Sequence, residues 1–394
     1  MDYKRPLLKT LQAIFSKKSP VIHAIIGPRQ VGKTTIAKQL QESIEYPSIY
    51  ASADSPVQLD YSWIETQWRR AGAELDSSGG PVLLILDELQ KVPGWSETLK
   101  ILWDGRNAKK DIRVLILGSS ALLMQEGLTE SLAGRFLLHR CTHWGYSECR
   151  QAFGWGLEKW LYFGGYPGAS VFVDDEPTWK RYISDSLIET VLARDVLQMS
   201  RITKPALLRH LFALAATLPA QTVSYTKMLG QLHDAGNTTT LAHYIRLLEA
   251  AFLLSGLEFF SKGVQRKRGS SPKLVVWNNA LINALSTKSF SETIGDSIWW
   301  GRIVENAVGA HLCNNLNSVE YSITYWREKN YEVDFIISRG SKLWAVEIKS
   351  GRSGKMVGLQ RFREAYPKTS AMLVGGAGIP LEEFFSRDPM EWFS

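Results

Sequence analysis

The stretch that decides the fold is VIHAII followed by GPRQVGKTT, residues 21–35. Its second part fits the pattern G-x-x-x-x-G-K-[ST] at every constrained position, from Gly27 through Gly32 to Lys33 and Thr34. An apolar run precedes this motif and a helical pattern follows it, so strand, loop and helix together predict a phosphate-binding loop in an α/β sheet. Its candidate ligand-binding residues are Gly27, Pro28, Arg29, Gln30, Val31, Gly32, Lys33, Thr34 and Thr35.

The residue types of this loop suit a nucleoside triphosphate. Glycines allow backbone N–H groups to wrap around phosphates, and a lysine ammonium reaches the β- and γ-phosphates. We expect Lys33 to do this and the Thr34 hydroxyl to bind Mg²⁺. A chance match is the alternative, and the flanking strand and helix disfavour it.

A second buried strand is predicted at residues 81–86, and it ends in Asp87 and Glu88. A parallel strand delivers such carboxylates to its C-terminal edge, where the loop also lies. We expect Asp87 to hold Mg²⁺ through water and Glu88 to deprotonate an attacking water, which favours an ATPase over a small-molecule kinase. The alternative is that either acid caps a helix.

Further strands and helices extend the pattern. A strand at 48–51 and a helix at 61–75 give the order βαβαβ, which predicts a parallel sheet. A fourth strand, 113–117, ends in Gly118-Ser119-Ser120, and Ser119 is a candidate sensor of the γ-phosphate or holder of the lytic water. Capping of the helix at 121–128 is an equally good interpretation. Arg135, after a flexible glycine, is a candidate arginine finger, in cis or from a neighbouring subunit.

The segments GPRQVGKTT, LLILDELQ, LILGSS and SLAGR, with YFGGYP at 162–167, resemble prokaryotic AAA-type ATPases. Those proteins carry a C-terminal domain of unknown function related to restriction-endonuclease folds. The resemblance covers nearly the whole chain and implies ATP and Mg²⁺ as cofactors. It also implies ATP hydrolysis at the residues already singled out, with a sensor and a finger: Lys33, Thr34, Asp87, Glu88, Ser119 and Arg135.

Composition is that of a globular protein. The chain has 394 residues, of which 45% are hydrophobic and 22% charged, and at about 150 residues per domain this predicts two or three domains. No apolar run approaches the roughly 20 residues of a membrane span, and the N-terminal residues show no export signal, so we expect a cytoplasmic protein without membrane contact. Cys141, Cys149 and Cys313 lack metal-ligand spacing, and we assign no zinc.

The charge is unevenly distributed. Residues 1–200 contain 23 Lys and Arg against 23 Asp and Glu, whereas residues 201–394 contain 23 against 16. The whole surplus of +7 therefore lies in the second half. A basic half suits a polyanion, although a solvated charged face would also account for it.

The middle of the chain has the pattern of a DNA-binding module. Helical patterns at 225–232 and 239–254 are joined by a short glycine-containing turn, as in a helix-turn-helix, and the second exposes Arg246. A basic loop follows at 262–273. Helix-turn-helix, basic loop and strand predict a winged helix that contacts nucleic acid, although winged helices also bind proteins. The candidate contacts are Arg246, Arg266, Lys267 and Arg268.

The last hundred residues contain EVDFII and then WAVEIK, the D…E-x-K pattern of restriction-type nucleases. Asp334 and Glu347 flank a turn, so hairpin register sets them opposite one another, with Lys349 on the same face and Mg²⁺ as the natural cation between them. The resemblance adds Glu305, on an upstream helix. The alternatives are a scaffold that retains the fold or a solvated face. Where the family has a strand ending in Asp-x-Gly, this chain has Asn278.

The predicted architecture is therefore α/β: a P-loop AAA-type parallel-sheet domain, a helical and winged-helix middle region, and a C-terminal α/β restriction-endonuclease-like domain. The predicted boundaries are 1–145 for the ATPase core, 146–205 for a helical connector, 206–285 for the winged-helix region and 286–394 for the last domain. The sequence favours an ATP-dependent switch or motor on nucleic acid, with DNA favoured. A nucleotide-controlled protein-interaction switch is the alternative, and nuclease activity, a homo-oligomer and a protein partner stay open.

Overall fold

The computed structural model describes residues 3–107, 110–119, 121–197, 202, 204–232, 237–261, 271–351 and 356–394. The chain divides into two compact units, residues 1–142 and 143–394. The finer division into four regions remains a prediction. In the described parts of the chain, no helix combines the length and apolar character needed to cross a membrane.

The first unit is built on a five-stranded parallel sheet with strand order β2-β3-β4-β1-β5. The three central strands are apolar and fully buried, as expected when helices cover both faces of a parallel sheet. The predicted parallel α/β sheet is confirmed. Its strands are β1 (Ile22–Ile26), β2 (Ser48–Ser52), β3 (Val82–Asp87), β4 (Ile112–Leu117) and β5 (Phe136–Arg140), and its helices are α1 (Pro6–Phe15), α2 (Lys33–Ser43), α3 (Tyr61–Ser78), α4 (Trp95–Asp104) and α5 (Ala121–Glu130).

The second unit begins with a helical region. Proline or a side-chain cap marks the start of several of its helices, and two π-helical segments, Tyr182–Ile188 and Val191–Val196, extend the third one. Its helices are α6 (Tyr146–Phe153), α7 (Leu157–Phe163), α8 (Glu176–Arg181), α9 (Pro205–Thr217), α10 (Tyr225–Gln231) and α11 (Thr238–Ala250).

An antiparallel two-stranded ribbon follows, formed by β6 (Leu254–Leu257) and β7 (Lys273–Val276). The helix predicted at 239–254 is therefore too long at its C-terminal end, because the helix in the structure ends at Ala250. The chain leaves the helix at Phe252, which has a left-handed φ of 58°, and Leu254 then pairs with Val276 in the ribbon. The joining turn at 233–236 and the basic loop at 262–270 lie outside the described residues.

The rest of the second unit contains a mixed four-stranded sheet of order β11-β10-β9-β8, in which β10 and β11 are parallel and the other pairs antiparallel. A cluster of buried side chains that includes Val333, Ile336 and Phe362 joins this sheet to a helix. The elements are α12 (Asn279–Leu285), α13 (Phe290–Gly295), α14 (Ser297–Asn315), β8 (Ser322–Glu328), β9 (Tyr331–Arg339), β10 (Lys342–Lys349), α15 (Val357–Ala365), β11 (Thr369–Gly375), α16 (Leu381–Ser386) and α17 (Pro389–Trp392).

Candidate functional site

The loop between β1 and α2 has the backbone that its glycines predict. Gly32 adopts a φ of +92°, a conformation that L side chains rarely take. A Cβ at Gly27 would lie 1.9 Å from the carbonyl oxygen of Cys141, so only glycine lets the loop approach the chain beyond β5. Gln30 also has a positive φ, 58°, within the same turn. The loop is therefore a tight, backbone-lined cradle of the kind that binds phosphate.

Lys33 is buried at the start of α2, and its ammonium lies against the loop itself. Its Nζ donates hydrogen bonds to the carbonyl oxygens of Gly27, at 2.9 Å, and Pro28, at 2.6 Å. Burial lowers the pKa of Lys33, and the Arg29 guanidinium adds to that effect, whereas Glu88 and Asp87 oppose it. A cation with so little solvent is best stabilised by an anion, and phosphate is the anion that this cradle suits.

The second residue of α2, Thr34, contacts the end of β3. Its hydroxyl donates a hydrogen bond to the Asp87 carboxylate at 2.7 Å, and Tyr50 from β2 donates another to the same oxygen at 2.8 Å. Burial and this bond raise the pKa of Tyr50. Hydroxyl and carboxylate oxygens are ligands that Mg²⁺ accepts. The donor set at this edge of the sheet therefore fits that ion, with Thr34 and Asp87 as its protein partners; Thr35 is exposed and takes no part in this contact.

Glu88 follows β3 in a left-handed conformation, with φ 54°, which turns it away from the strand. Its carboxylate accepts a hydrogen bond from the Ser119 hydroxyl at 2.8 Å and one from the Gln90 side-chain amide at 2.7 Å. A residue other than glycine in this conformation is held there by its surroundings and is frequent at functional sites. The structure thus brings the predicted acid and the predicted sensor together and adds Gln90, which the sequence analysis missed.

Arg5 is a second residue that the sequence analysis missed. It is buried, and its Nη1 donates to the carbonyl oxygens of Val31, at 3.1 Å, and Thr142, at 3.0 Å. The Cys141 sulfur lies 3.1 Å from the same nitrogen. One guanidinium therefore joins the phosphate-binding loop to the last residues of the first unit.

In the second unit, the predicted register of β9 and β10 is present. Val346 pairs with Phe335, which sets Glu347 and Asp334 at the next opposed positions. Asp334 Oδ2 accepts a hydrogen bond from the Ile348 amide at 2.8 Å, and Lys349 Nζ donates to Glu347 Oε1 at 2.6 Å. The structure brings together the four residues that the D…E-x-K pattern and the resemblance single out, Glu305, Asp334, Glu347 and Lys349. Where the sequence predicts Mg²⁺, Glu305 and Asp334 face a cation that the protein itself supplies.

That cation is the ammonium of Lys273, the first residue of β7. It is fully buried and lies 2.6 Å from Glu305 Oε1, 3.5 Å from Asp334 Oδ1 and 3.6 Å from Glu332 Oε1. Burial alone would lower the pKa of Lys273, but the three carboxylates raise it above its usual value. The sequence analysis placed this lysine at the end of a basic surface loop. That assignment is wrong, because its side chain enters the interior of the unit.

Burial also acts on the carboxyls of this cluster. It raises the pKa of Glu305 to about 7 and that of Glu347 to about 7, and in both cases the nearby Asp334 charge adds to the effect. Their lysine partners oppose it. Within the described residues, no group of three or more His, Cys, Asp or Glu side chains is arranged to hold a metal ion.

The predicted nucleic-acid contacts divide into two groups. Arg246 is exposed on α11, opposite the buried face formed by Leu241, Ile245 and Leu248. Arg266, Lys267 and Arg268 lie outside the described residues. Asn278, at the position of the missing acid, caps α12 by accepting a hydrogen bond from the Ala280 amide at 3.0 Å. An amide thus replaces the carboxylate as a structural cap.

Comparison with protein families identifies the first part of the chain. Residues 19–149 match the family model described as an AAA domain. This segment is therefore similar to AAA-type ATPase domains. Residues 154–292 and 300–381 match two families described as domains of unknown function, DUF8612 and DUF4143 respectively.

A curated relative and two solved structures are similar to the chain. The uncharacterized protein MJ1544 of Methanocaldococcus jannaschii is 26% identical over 277 residues, which are 64% of this chain and 58% of the relative. The Walker-type ATPase Paby2304 of Pyrococcus abyssi has 13% identity and a TM-score of 0.47, over 72% of this chain and 95% of that one. The Orc1 protein of Aeropyrum pernix, solved in complex with DNA, has 12% identity and a TM-score of 0.30, over 73% and 92%.

Arg135 does not lie at the edge of the sheet where the phosphate-binding loop follows β1. Its carbonyl oxygen accepts a hydrogen bond from the Ile22 amide at the start of β1, whereas the phosphate-binding loop follows the end of β1. A strand of this length spans about 16 Å. Its guanidinium is paired with Asp104, with Nε at 2.7 Å from Oδ1. Of the two alternatives for Arg135, a finger in cis does not fit this geometry, because the start and the end of a strand lie at opposite edges of the sheet. A finger in trans stays a prediction.

Proposed function

We propose that this protein is a Mg²⁺-dependent AAA-type ATPase that acts on nucleic acid as a switch or motor, with DNA favoured. The observation that carries the ATPase part is the contact of the Thr34 hydroxyl with the Asp87 carboxylate, next to a Glu88 held by Ser119. Together these contacts support a role for Thr34 and Asp87 in metal binding and for Glu88 as a base, at the edge where the phosphate-binding loop lies.

The proposed chemistry gives each side chain one role. Lys33 and the loop amides bind the phosphates of ATP. Thr34 and Asp87 would hold Mg²⁺, and the ion would supply positive charge to the β- and γ-phosphates. Glu88 accepts a proton as a water oxygen bonds to the γ-phosphorus and the bond to the ADP oxygen breaks. Ser119 and Gln90 orient the Glu88 carboxylate. The products are ADP and inorganic phosphate.

Support for nucleic acid as the partner comes from the second half of the chain. It carries the whole charge surplus of the protein, and the order of three helices followed by an antiparallel ribbon supports the winged-helix interpretation. Arg246 is exposed on the second helix of the predicted helix-turn-helix, where a phosphate contact is feasible. The basic triplet at 266–268 lies in the predicted wing.

The alternative is a nucleotide-controlled switch whose second half binds protein. The buried Lys273 of the D…E-x-K cluster favours this protein-binding alternative, because it makes the last domain a scaffold. The deciding experiment measures phosphate release without polymer and with single-stranded DNA, duplex DNA or RNA at one salt concentration. The Glu88→Gln variant, purified in parallel, controls for contaminating ATPases.

Under the proposed function, at least one DNA stimulates turnover of the wild type, and the Glu88→Gln variant shows no turnover with or without DNA. Unchanged turnover with all three polymers, at low salt and with active enzyme, would favour the protein-binding alternative. Absence of ATP hydrolysis under every condition would contradict the ATPase proposal itself.

A further inference from the structure

The resemblance to restriction-type nucleases implies a divalent cation among Glu305, Asp334 and Glu347, and the structure allows a test of that expectation. A catalytic Mg²⁺ or Mn²⁺ would need carboxylate oxygens at about 2.0–2.2 Å, free of other cations. Two of the oxygens concerned, Glu305 Oε1 and Asp334 Oδ1, already face the ammonium of Lys273. The residues present do not fit a divalent ion.

We infer that Lys273 is the permanent cation of this cluster, that it excludes a divalent metal ion, and that the last domain consequently does not cleave nucleic acid by a metal-dependent mechanism. The inference is independent of the proposed ATPase, because the cluster and the phosphate-binding loop belong to different units. The D…E-x-K residues then have a structural role, since they hold β7 to α14 and to the β9–β10 hairpin through one buried ammonium.

Geometry prevents Lys273 from yielding its place to a metal ion. The residue is fully buried, and its ammonium also lies 4.9 Å from the centre of the Phe335 ring, which adds a cation–π contact. Its backbone pairs with Leu257 on one side and forms an isolated bridge with Thr222 on the other. Lys273 is therefore held at the start of a paired strand, and its buried side chain is surrounded by three carboxylates and an aromatic ring.

The cluster contains two ammonium groups and four carboxyl groups, and each of the four carboxyls faces one of the two ammonium groups. Lys273 faces Glu305, Glu332 and Asp334, and Lys349 faces Glu347. The second Asp334 oxygen is used by the Ile348 amide. The second oxygen of Glu347 is buried and accepts no hydrogen bond from any residue that the structure describes. We expect that oxygen to become available as a ligand once Lys273 is removed.

The experiment measures Mn²⁺ binding to the full chain without nucleotide, by electron paramagnetic resonance of the free ion. It compares wild type, Lys273→Met, Lys273→Arg and the double variant Lys273→Met with Asp334→Asn. Lys288→Met is the matched control, because Lys288 belongs to the same unit and pairs with one carboxylate, Asp296, near the surface. Mn²⁺ sites elsewhere, including the phosphate-binding loop, are common to all five proteins, so they cancel when the amounts of bound Mn²⁺ are compared.

We expect Lys273→Met to bind one further Mn²⁺ per chain, and the double variant to lose it. Wild type, Lys273→Arg and Lys288→Met should bind equal amounts. Failure of a folded Lys273→Met variant to gain an ion would overturn the inference. A Mn²⁺ site that is present in the wild type and lost in the Asp334→Asn variant would also overturn the inference.

Two assays on folded wild type keep the inference falsifiable if Lys273→Met does not fold. Mn²⁺ binding should be the same for wild type and Asp334→Asn. Supercoiled plasmid incubated with wild type and Mg²⁺ or Mn²⁺ should remain uncut. Cleavage that requires Asp334 would show that a metal ion enters the cluster despite Lys273.

Discussion

The Ser119 hydroxyl and the Glu88 carboxylate lie 2.8 Å apart, although 31 residues separate them along the chain. They meet because β3 and β4 are adjacent parallel strands, so that the residues after each strand emerge at the same edge. The Gln90 amide donates to the same carboxylate oxygen and lies 3.5 Å from the Ser119 hydroxyl. The candidate base is thus positioned by side chains from both strand ends.

Ser119→Ala should therefore lower kcat for ATP by a factor of about 10 to 150, since one hydrogen bond to a charged group is worth about 1.5–3 kcal/mol. The KM for ATP should change little, because Ser119 orients the base and contributes no contact to the loop. Steady-state phosphate release measures both constants. Ser96→Ala, at a buried serine on α4 whose partners are Glu97 and Ser131, is the control and should leave both unchanged. An equal change in KM would contradict a positioning role.

Lys33→Ala should abolish ATP binding, whereas Glu88→Gln should bind ATP normally and lose turnover by a factor of about 100 or more. The reason is that Lys33 neutralises phosphate charge, while Glu88 acts only on water. Calorimetry measures binding and phosphate release measures turnover. Lys38→Ala, an exposed lysine on the same helix, should behave like wild type. Undiminished hydrolysis by Glu88→Gln would remove Glu88 from the role of base.

Arg135→Ala should lose ATPase activity if the side chain reaches the nucleotide of a neighbouring subunit. Mixing Arg135→Ala with Lys33→Ala should then restore part of the activity, because each variant supplies the half-site that the other lacks. Arg69→Ala, on the exposed face of α3, is the control and should need no complementation. A monomer by light scattering together with no complementation would exclude a finger in trans, and the pairing with Asp104 would then be the whole role of Arg135.

Replacing Arg266, Lys267 and Arg268 with glutamine should weaken DNA binding to a similar degree for all sequences. It should also lower the slope of log affinity against log salt by up to about three, as loss of phosphate contacts does. Salt-titrated fluorescence anisotropy measures the slope. The matched control neutralises three exposed basic residues elsewhere, Lys342, Arg363 and Lys368. An unchanged slope in the first variant, or an equal loss in the control, would count against the wing.

Lys273→Met should destabilise the protein more at pH 8 than at pH 5. Burial raises the pKa of Glu305 and Glu347 from 4.5 to about 7, so the stability linked to these protons is present below pH 4.5 and is lost as pH rises through 7. Lys273 offsets that loss by neutralising the carboxylates. Urea unfolding should show a cost of about 3–5 kcal/mol at pH 8 and a smaller one at pH 5. Equal costs at both pH values would mean that Lys273 acts through packing alone.

The residues that sequence could predict share one property: the contacts that define them are local or follow from strand register. The cradle from Gly27 to Thr34 is a continuous motif, and the opposition of Asp334 to Glu347 follows from a short hairpin. Thr34 meets Asp87 because both stand at the same edge of a parallel sheet. The sequence motif and the topology of the sheet are enough to predict such contacts.

The residues that sequence missed reach their sites from distant segments without a motif. Tyr50 meets Asp87 from a neighbouring strand, and Arg5 reaches Val31 from the N-terminal segment. Lys273 was misassigned because a lysine that follows basic residues has the pattern of a surface loop. Its burial depends on three carboxylates that only the folded chain brings near it. For Arg135 the sequence left a finger in cis and a finger in trans open, because spacing along the chain does not tell which end of a strand a residue occupies.

The guanidinium of Arg5 connects two distant segments of the first unit. Val31, in the middle of the phosphate-binding loop, and Thr142, the last residue of the first unit, are anchored to the same nitrogen atom. The Cys141 backbone lies so close to Gly27 that it leaves no room for a Cβ. A displacement of the loop by nucleotide therefore strains the point where the chain leaves the first unit. Movement of the phosphate-binding loop is thus coupled, through the single side chain of Arg5, to the last residues of the first unit.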